Sequence, residues 1–551
     1  MTEAARATGR IYWIAGGFLV LSIIAGVVLL DTGSSTGAGD SAGPMVLNRG
    51  NGAEPDTLDP HLASGNWENN VIGDMIVGLT TEAPDATPIP GAAESYEANE
   101  DGLVYTFRIR DHLWSDGTPV TAEDFVYSFR RILNPATAAQ YASLIYAMKG
   151  AEAINSGQAG PETLGARAID DRTLEITFKH PVPYLSWLLT HYTTFPVPRH
   201  VVEKYGDQWT RPENIAVNGP YKLAEWRPND HIRLVKNPLF YDKDNVRIEA
   251  VNFYPTVDAA AALKRFRAGE LDLNTNGVAS QQIQWARENM PDEFIITPFI
   301  LTQYVLFNTL RKPFDDPRVR NALSMAIDRE IIADKVMRAG EQPAYALVPP
   351  GIANYSGTAQ VRFRDTPMAE RLAKAKALLA EAGFGPDNPL SFDYKFQTRL
   401  ETRLVAVALA DMWKQIGVTA KLVASDTQVH YNLLRRQDFE VAWAGWIADY
   451  PDAKNYLFLA ESASGQMNYG KYHNPQFDAL VAQSDRERDT AKREALLAEA
   501  EQLMLDEAPM VPVYFGVSRN LLSKRVKGWV DNNLNWHRTR YMWVERETPG
   551  S

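Results

Sequence analysis

The sequence predicts an α/β protein of several domains, preceded by an apolar N-terminal segment. Its 551 residues correspond to about two to four domains of ordinary size. In the C-terminal half, helix-like segments that end at glycine alternate with strand-like segments, which is typical of an α/β domain. Residues 11–30 carry no charged side chain, which favours a membrane-spanning or signal segment.

The apolar segment 11–30 is long enough to cross a membrane. Its 20 residues would span about 30 Å as a helix, the thickness of a bilayer core. Arg6 and Arg10 precede it and the next basic residue is Arg49, so the positive-inside rule places residues 1–10 in the cytoplasm and the remainder outside.

A cleaved signal peptide is the alternative to a membrane anchor. Its apolar region is normally about 7–15 residues, shorter than this one, and no clear Ala-x-Ala cleavage site precedes Gly43. We therefore expect an uncleaved anchor that holds the protein at the periplasmic face of the cytoplasmic membrane. Residues 31–44, rich in Gly and Ser, would then form a flexible tether.

Composition excludes several classes of function. The net charge of −12 and the lack of a Lys/Arg block argue against a nucleic-acid partner. The absence of cysteine excludes a thiol nucleophile, a cysteine zinc site and disulfide bonds. Most of the 13 Trp and 23 Tyr must belong to the core, but such a supply also suits a cleft that contacts varied ligands.

A strand, a turn and a helix are predicted in succession between residues 103 and 133. Apolar and polar residues alternate over 103–110, as in a half-buried strand. Gly117 lies in a turn-forming stretch and can adopt positive φ. Thr121 is the predicted N-cap of the helix, with Glu123 and Asp124 in its first turn.

The C-terminal half contains further elements that the pattern of apolar residues predicts. A helix with Asp316 as its cap begins at Pro317. The other predicted elements are helices at 258–268, 370–382, 401–416 and 485–506, and strands at 173–178 and 418–422.

Several segments together resemble the extracytoplasmic solute-binding proteins of family 5, which capture peptides for ABC importers. They occur in the family's order and cover nearly all of the chain after residue 45. Segment 444–450, Ala-Gly-Trp-Ile-Ala-Asp-Tyr, is most similar to the oligopeptide-binding branch. The matching segments are 49–61, 105–125, 218–223, 315–323, 444–450 and 511–514.

This resemblance implies a two-lobed periplasmic-binding-protein fold with a ligand cleft between the lobes. Lobe I would comprise 45–78, 196–303 and 514–551. An extra domain inserted in that lobe would occupy 79–195, and lobe II would occupy 304–513.

The resemblance also implies the function. The protein would be the monomeric substrate-binding component of an ABC importer, capturing peptides and delivering them to the permease subunits without catalysis or a cofactor. One alternative keeps the fold but binds a nickel chelate, haem, an opine-like conjugate or an oligosaccharide. A second alternative is a hydrolase of envelope peptides, although the chain lacks Gly-x-Ser-x-Gly, His-Glu-x-x-His and phosphate-loop motifs.

The principal candidate site is the segment that ends in Asp449. An acid directly after an apolar, aromatic run is either solvated at a strand end or partly buried and available to a cation. The resemblance implies that Asp449 pairs with the α-ammonium group of a peptide, while the neighbouring backbone at Trp446, Ile447 and Ala448 hydrogen-bonds the extended ligand. General affinity would follow, because every unblocked peptide carries these groups.

Four further residues are candidates, each with a structural alternative. Tyr141 and Tyr146 either contact ligand from the inserted domain or pack in its core. Asn218 either donates to the ligand backbone or holds its own turn. Tyr514 lies where a strand crosses between the lobes and is either hinge or ligand wall.

One departure from the family concerns the ligand's carboxylate. Close oligopeptide binders carry an arginine where this chain has Trp443, and a histidine expected near residue 400 is missing, with Arg399 and Arg403 nearby. Trp443 either stacks on an aromatic, cyclic or modified ligand or is packed in the protein.

Overall fold

The computed structural model describes residues 44–275 and 277–545. The predicted anchor at 11–30 and the tether, apart from Pro44, lie outside these described residues. Within the described ranges, no helix has the length and the apolar character needed to cross a membrane.

The described residues form strands of very different lengths. They are β1 (Val46–Gly50), β2 (Thr80–Glu82), β3 (Pro88–Pro90), β4 (Ala93–Ala98), β5 (Val104–Ile109), β6 (Ala166–Asp170), β7 (Thr173–Thr177), β8 (Tyr221–Arg227), β9 (His231–Lys236), β10 (Ala250–Tyr254), β11 (Leu273–Asn274), β12 (Phe294–Phe307), β13 (Gln342–Pro343), β14 (Ser391–Gln397), β15 (Thr419–Ser425), β16 (Val441–Ile447), β17 (Met510–Leu522), β18 (Val526–Lys527) and β19 (Trp543–Val544).

The helices cover the sheets. They are α1 (Asn66–Met75), α2 (Ala122–Leu133), α3 (Ala151–Asn155), α4 (Leu185–Leu188), α5 (Arg199–Tyr205), α6 (Ala259–Arg267), α7 (Ile283–Asn289), α8 (Pro317–Met325), α9 (Arg329–Ile331, continued by a π-helical turn), α10 (Met368–Glu381), α11 (Leu400–Lys414), α12 (Thr427–Arg435), α13 (Lys454–Leu457), α14 (Pro475–Ser484) and α15 (Thr490–Glu507).

An 11-stranded mixed sheet carries the α/β architecture. Its order is β15-β14-β16-β12-β17-β11-β1-β10-β9-β8, with β13 also paired to β17. A separate four-stranded sheet, β4-β5-β7-β6, belongs to the region between β1 and β8 along the chain. The β15–β14 pair is parallel and the β12–β17 pair is antiparallel, so the sheet contains both kinds of strand pairing.

The long strands β12 and β17 pass from one hydrophobic core to another. Phe294 packs with the apolar cluster of α6 and α7, whereas Tyr304 to Phe307 pack in the largest core, which consists mainly of residues from 299–514. The pairing of β12 with β17 shifts register between Pro298 and Thr302 and again at Tyr304. Such irregularities bend a strand pair, which lets the same two strands serve both cores.

Two other cores divide the N-terminal half. One involves 45–77, part of 192–253 and the chain end, and the other involves mainly 79–216. The two interleave, because Tyr192 and Phe195 pack in the first while Val197 and Trp209 pack in the second. A single boundary at residue 195 therefore does not separate the cores, and the predicted domain limits remain predictions.

A buried ion pair between Asp59 and Arg131 joins these two cores, which gives Asp59 of segment 49–61 a structural role. Asp59 accepts from both terminal nitrogens of Arg131 on α2, at 3.0 and 2.5 Å, and from the Trp209 indole at 3.0 Å. Burial alone would raise the pKa of Asp59, but the hydrogen bonds and charge of Arg131 hold it below its ordinary value. Burial lowers the pKa of the adjacent His61 to about 4, so this histidine is neutral at pH 7.

Most of the predicted local elements are confirmed. Thr121 caps α2, and the Asp124 carboxylate accepts from the Thr121 backbone N–H at 2.8 Å, which completes a capping box. Asp316 caps α8 with Pro317 in the first turn. Gly417 follows α11 with φ of 81°, a conformation that glycine adopts without a steric penalty.

The helix predicted over 485–506 begins later than expected. It starts at Thr490, because the Asp489 side chain accepts from the Lys492 N–H at 2.9 Å and so acts as an N-cap. Residue 485 instead follows the separate helix α14, which ends at Ser484. The many charged residues after 484 give no apolar pattern that marks the start of α15, and the Asp489 cap identifies it.

Candidate binding site

Asp449 lies just beyond the end of β16, where this strand leaves the core. Residues 441–444 are buried, Trp446 is partly exposed and Ile447 is 40% exposed. β16 pairs antiparallel with β12, from Val441 opposite Phe307 to Ile447 opposite Leu301. Asp449 therefore follows the exposed end of a central strand and is itself half-buried.

One edge of β16 is open along its exposed half. Among the described residues, β14 pairs with β16 only through Val441 and Ala442. Beyond that point the sheet continues on the β12 side alone. An open strand edge presents unpaired N–H and C=O groups, to which an extended chain can add as a further strand.

The carboxylate of Asp449 is desolvated without a compensating cation. Burial raises its pKa to about 7, and a hydrogen bond from the Asn455 side chain opposes the rise only in part. No Lys, Arg or His of residues 44–275 and 277–545 forms an ion pair with it. Asp452, three residues on, is by contrast held by both terminal nitrogens of Arg493 at 2.8 Å. Asp449 is thus the acid of this segment that remains available to a cation from outside the protein.

Asn455 fixes the end of β16 relative to the carboxylate. Its Oδ1 accepts from the Trp446 indole N–H and from the Asp449 backbone N–H, both at 3.0 Å. Asn455 is itself 3% exposed. The site acid is therefore held in place by a buried amide, so little ordering remains when a ligand binds.

Two tyrosines, Tyr141 and Tyr192, form an aromatic wall near the Asp449 carboxylate. The ring centroid of Tyr141 lies 6.5 Å from that of Tyr192 and 5.8 Å from that of His191. Burial, followed by the negative charge of Asp449, raises the pKa of Tyr141. Burial, then the neighbouring Tyr141 and Asp449, raises the pKa of Tyr192, while burial lowers the pKa of His191 to about 3. This wall is aromatic and neutral at pH 7.

The other residues of the candidate segment differ in how exposed they are. Trp446 and Ile447 lie at the open end of β16, three and two residues before Asp449, and their contact with a ligand stays a prediction. Ala448 is 4% exposed and its N–H donates to Ile300 at 3.2 Å, so this N–H is already occupied by β12.

Trp443 is packed rather than presented to a ligand. It is 2% exposed, and its ring lies 5.9 Å from that of Tyr514 in the largest core. Its carbonyl accepts from His430 Nε2 at 2.8 Å. Of its two predicted alternatives, this placement favours packing, because no face of the indole is free to stack on a ligand.

Tyr514 and Tyr146 are held by contacts with residues other than Asp449. Tyr514 is 6% exposed and sits on β17 opposite Gln303, at a register shift of the β12–β17 pair. This position favours its hinge alternative. The Tyr146 hydroxyl donates to Asn155 at 2.7 Å within the 79–216 region, which favours packing there.

Asn218 is fully buried and links two backbone segments. Its Oδ1 accepts from the Val77 N–H and its Nδ2 donates to the Val77 carbonyl, both at 2.9 Å. Asn218 therefore holds a distant segment rather than its own turn, and a ligand cannot reach it in this conformation.

Replacement of Asn218 by alanine should reduce stability and leave ligand affinity unchanged. The substitution strands two buried backbone groups of Val77, at a cost of about 1–3 kcal/mol for each. Thermal unfolding followed by calorimetric titration of the folded variant measures both quantities. A loss of affinity in fully folded protein would return Asn218 to the ligand site.

The residues that the sequence did not indicate come from elsewhere in the chain. Tyr192, His191 and Asn455 carry no motif that points to Asp449. Asn455 follows the acid by six residues, but only the turn between them makes the amide meet it.

Comparison with known proteins adds relatives that cover nearly the whole chain. The model of the bacterial extracellular solute-binding proteins, family 5 (middle region), matches residues 87–468. The periplasmic oligopeptide-binding protein OppA of Escherichia coli is 37% identical over 536 residues, which cover 96% of this chain and 98% of the relative. YgiS of the same organism, named a probable deoxycholate-binding periplasmic protein, is 36% identical over 493 residues, covering 89% and 91%.

A solved structure shows the same fold. The crystal structure of Haemophilus influenzae OppA in complex with RPPGFSPFR superimposes with a TM-score of 0.80 and 34% identity. The match covers 91% of this chain and 99% of that one.

Proposed function

The chain belongs to family 5 of the bacterial extracellular solute-binding proteins, and from this premise we propose that it is the peptide-capturing component of an ABC importer. The periplasmic oligopeptide-binding relatives support both the ligand class and the periplasm as its compartment. The peptide complex of the H. influenzae relative supports a peptide as the bound species.

The Asp449 carboxylate is the observation that carries the proposal. A desolvated acid with a pKa near 7 and no ion-pair partner among the described residues is costly to ionise, and an incoming cation offsets that cost. The α-ammonium group of a peptide supplies that cation. The open edge of β16 lies beside it and matches the backbone of the same peptide, so both constant parts of any unblocked peptide have partners.

In this binding mode the protein contacts the α-ammonium group and the backbone of the peptide, and these contacts do not involve the peptide side chains. The ammonium group would sit between Asp449 and the wall formed by Tyr141 and Tyr192, with the backbone extended along Trp446 and Ile447. The ligand's carboxylate end is not assigned to Trp443, because this indole is packed in the core. The protein would release the peptide unchanged to the permease subunits, acting as a monomer.

A steroid acid is the second ligand class with specific support. YgiS, at 36% identity, is named for deoxycholate, which carries a carboxylate and no amine. Such a ligand would face the Asp449 carboxylate without neutralising it. The free acid at this position is therefore the feature that favours peptides over steroid acids.

Native mass spectrometry of protein purified from the cell envelope tests the ligand class. We expect bound masses that correspond to peptides with free N-termini. Recovery of steroid acids, or of N-blocked peptides alone, would contradict the proposal.

Peptide affinity should fall as the pH drops below about 7. Binding of the ammonium group requires the ionised carboxylate, and in the free site Asp449 holds its proton up to a pKa of about 7. The dissociation constant should therefore rise towards tenfold per pH unit on the acid side, and binding at pH 6 should release close to one proton. Above about pH 8 the peptide amine itself deprotonates, so affinity falls again.

Calorimetry at pH 6 in buffers of different ionisation enthalpy measures the proton release. The Asp449→Asn variant is the control and should release no proton from this site. Equal affinity at pH 5.5 and 7.5 in wild type would show that ionisation of Asp449 is not coupled to binding.

We further propose that residues 11–30 hold the protein at the cytoplasmic membrane as an uncleaved anchor. The full-length chain should then pellet with membranes and resist extraction by salt, because an apolar attachment is not ionic. Intact-mass analysis that finds a mature start between residues 31 and 46 would contradict the anchor and leave the periplasmic assignment in place.

A further inference from the structure

The 79–216 region meets the region of Asp449 through two stacked tyrosines. The rings of Tyr184 and Tyr450 are 4.6 Å apart with an interplanar angle of 8°. They are only 9% and 7% exposed. Tyr450 follows Asp449 directly, yet its side chain packs into the apolar core of residues 79–216 rather than into that of its own neighbours.

Each tyrosine is held firmly on its own side. Tyr184 directly precedes α4, whose Leu185 and Leu188 are buried in the same core. Tyr450 lies in a segment fixed by the buried pair of Asp452 with Arg493. Two rigid supports thus present their rings to each other.

Other side chains continue the contact along the start of α15. The Arg493 guanidinium lies 5.9 Å from the centre of the Tyr184 ring. Arg488 donates to the carbonyl of Glu100, on the turn after β4. Both contacts join atoms of the protein to one another.

We propose that the protein closes around a bound peptide and that the Tyr184–Tyr450 stack is a clasp by which the 79–216 region holds this closed form. The inference rests on the proposed function and adds a role for these two side chains. Opening would return two nearly buried rings to water, which favours the closed form. Part of the affinity for every peptide then comes from a contact that no peptide touches. Because Tyr450 directly follows Asp449, the residue that binds the ammonium group and the residue that forms the clasp belong to one segment.

Replacement of Tyr184 tests the clasp. Tyr184→Ala should weaken a free peptide and its N-acetylated form by the same factor, about 3- to 10-fold, the range expected for an aromatic pair. Tyr184→Phe keeps the ring and should bind both peptides like the wild type. Wild-type affinity of folded Tyr184→Ala would overturn the proposal, as would a loss confined to the free peptide.

A cross-linking experiment measures closure itself. The chain has no cysteine, so Glu100→Cys with Arg488→Cys introduces a single thiol pair across the contact while both tyrosines remain. A short bis-maleimide should link the pair faster with saturating tetra-alanine than without it. Adding Tyr184→Ala should slow linking in the absence of peptide. Equal rates in all three cases would show a permanent contact and overturn the clasp.

The two experiments separate this inference from the proposed function. If tetra-alanine binds to no variant, the peptide proposal fails, whereas the peptide-free comparison with and without Tyr184→Ala still decides whether the ring holds the two regions together.

Discussion

Asp449→Asn is expected to weaken the binding of free peptides by about 30-fold or more. Removing one member of a desolvated, hydrogen-bonded charge pair costs on the order of 2–5 kcal/mol, mainly because the partner charge is stranded. Here the stranded charge would be the peptide's α-ammonium group, facing the neutral rings of Tyr141 and Tyr192. Isothermal titration calorimetry with tri- to pentapeptides measures the effect.

A matched control separates a local effect from a change in net charge. Asp387→Asn makes the same substitution on an exposed turn after α10 and should leave peptide affinity unchanged. Asp449→Asn also removes a buried ionisable group, so the variant should fold at least as stably as wild type at pH 8. If it binds free peptides as tightly as wild type, Asp449 is a structural acid.

Arg493→Leu is expected to lower the free energy of unfolding by about 3–5 kcal/mol. Arg493 and Asp452 are 5% and 6% exposed and share two hydrogen bonds of 2.8 Å. Removing the cation leaves the carboxylate buried and uncompensated, which is the costly way to break such a pair. Urea unfolding followed by tryptophan fluorescence measures the loss in the transition that reports on this core.

Two further variants serve as comparisons for Arg493→Leu. Adding Asp452→Asn to Arg493→Leu should recover part of the loss, since no charge is then stranded. Arg199→Ala breaks the exposed pair with Glu203 and should cost about 0–1 kcal/mol. An Arg493→Leu variant as stable as Arg199→Ala would show that Asp452 is solvated and the pair dispensable.

The elements set by local chemistry could be predicted from the sequence. The cap at Thr121, the proline start of α8 and the glycine after α11 each depend on residues within one turn of the element. Segment 444–450 likewise pointed to an acid after a strand. In each case the residues that decide the structure are neighbours in the chain.

The environment of that acid could not be predicted in the same way. Tyr192 lies near Asp449 although the two are more than 250 residues apart in the chain, and Asn218 bonds to Val77 across 141 residues. Whether Trp443 is packed or free depends on the position of Tyr514 on another strand. Spacing in the sequence carries no information about such contacts, because they arise only when separate elements pack.

The claim that Asp449 neutralises a peptide's α-ammonium group is tested most directly by a double-mutant cycle in calorimetry. Wild type and Asp449→Asn are each titrated with one tetrapeptide and with its N-acetylated form. Because the substitution and the acetylation break one interaction, each alone should cost about 30-fold or more, and the two together should cost little more than either. Losses that multiply, or an N-acetylated peptide that binds wild type as tightly as the free one, would contradict the account.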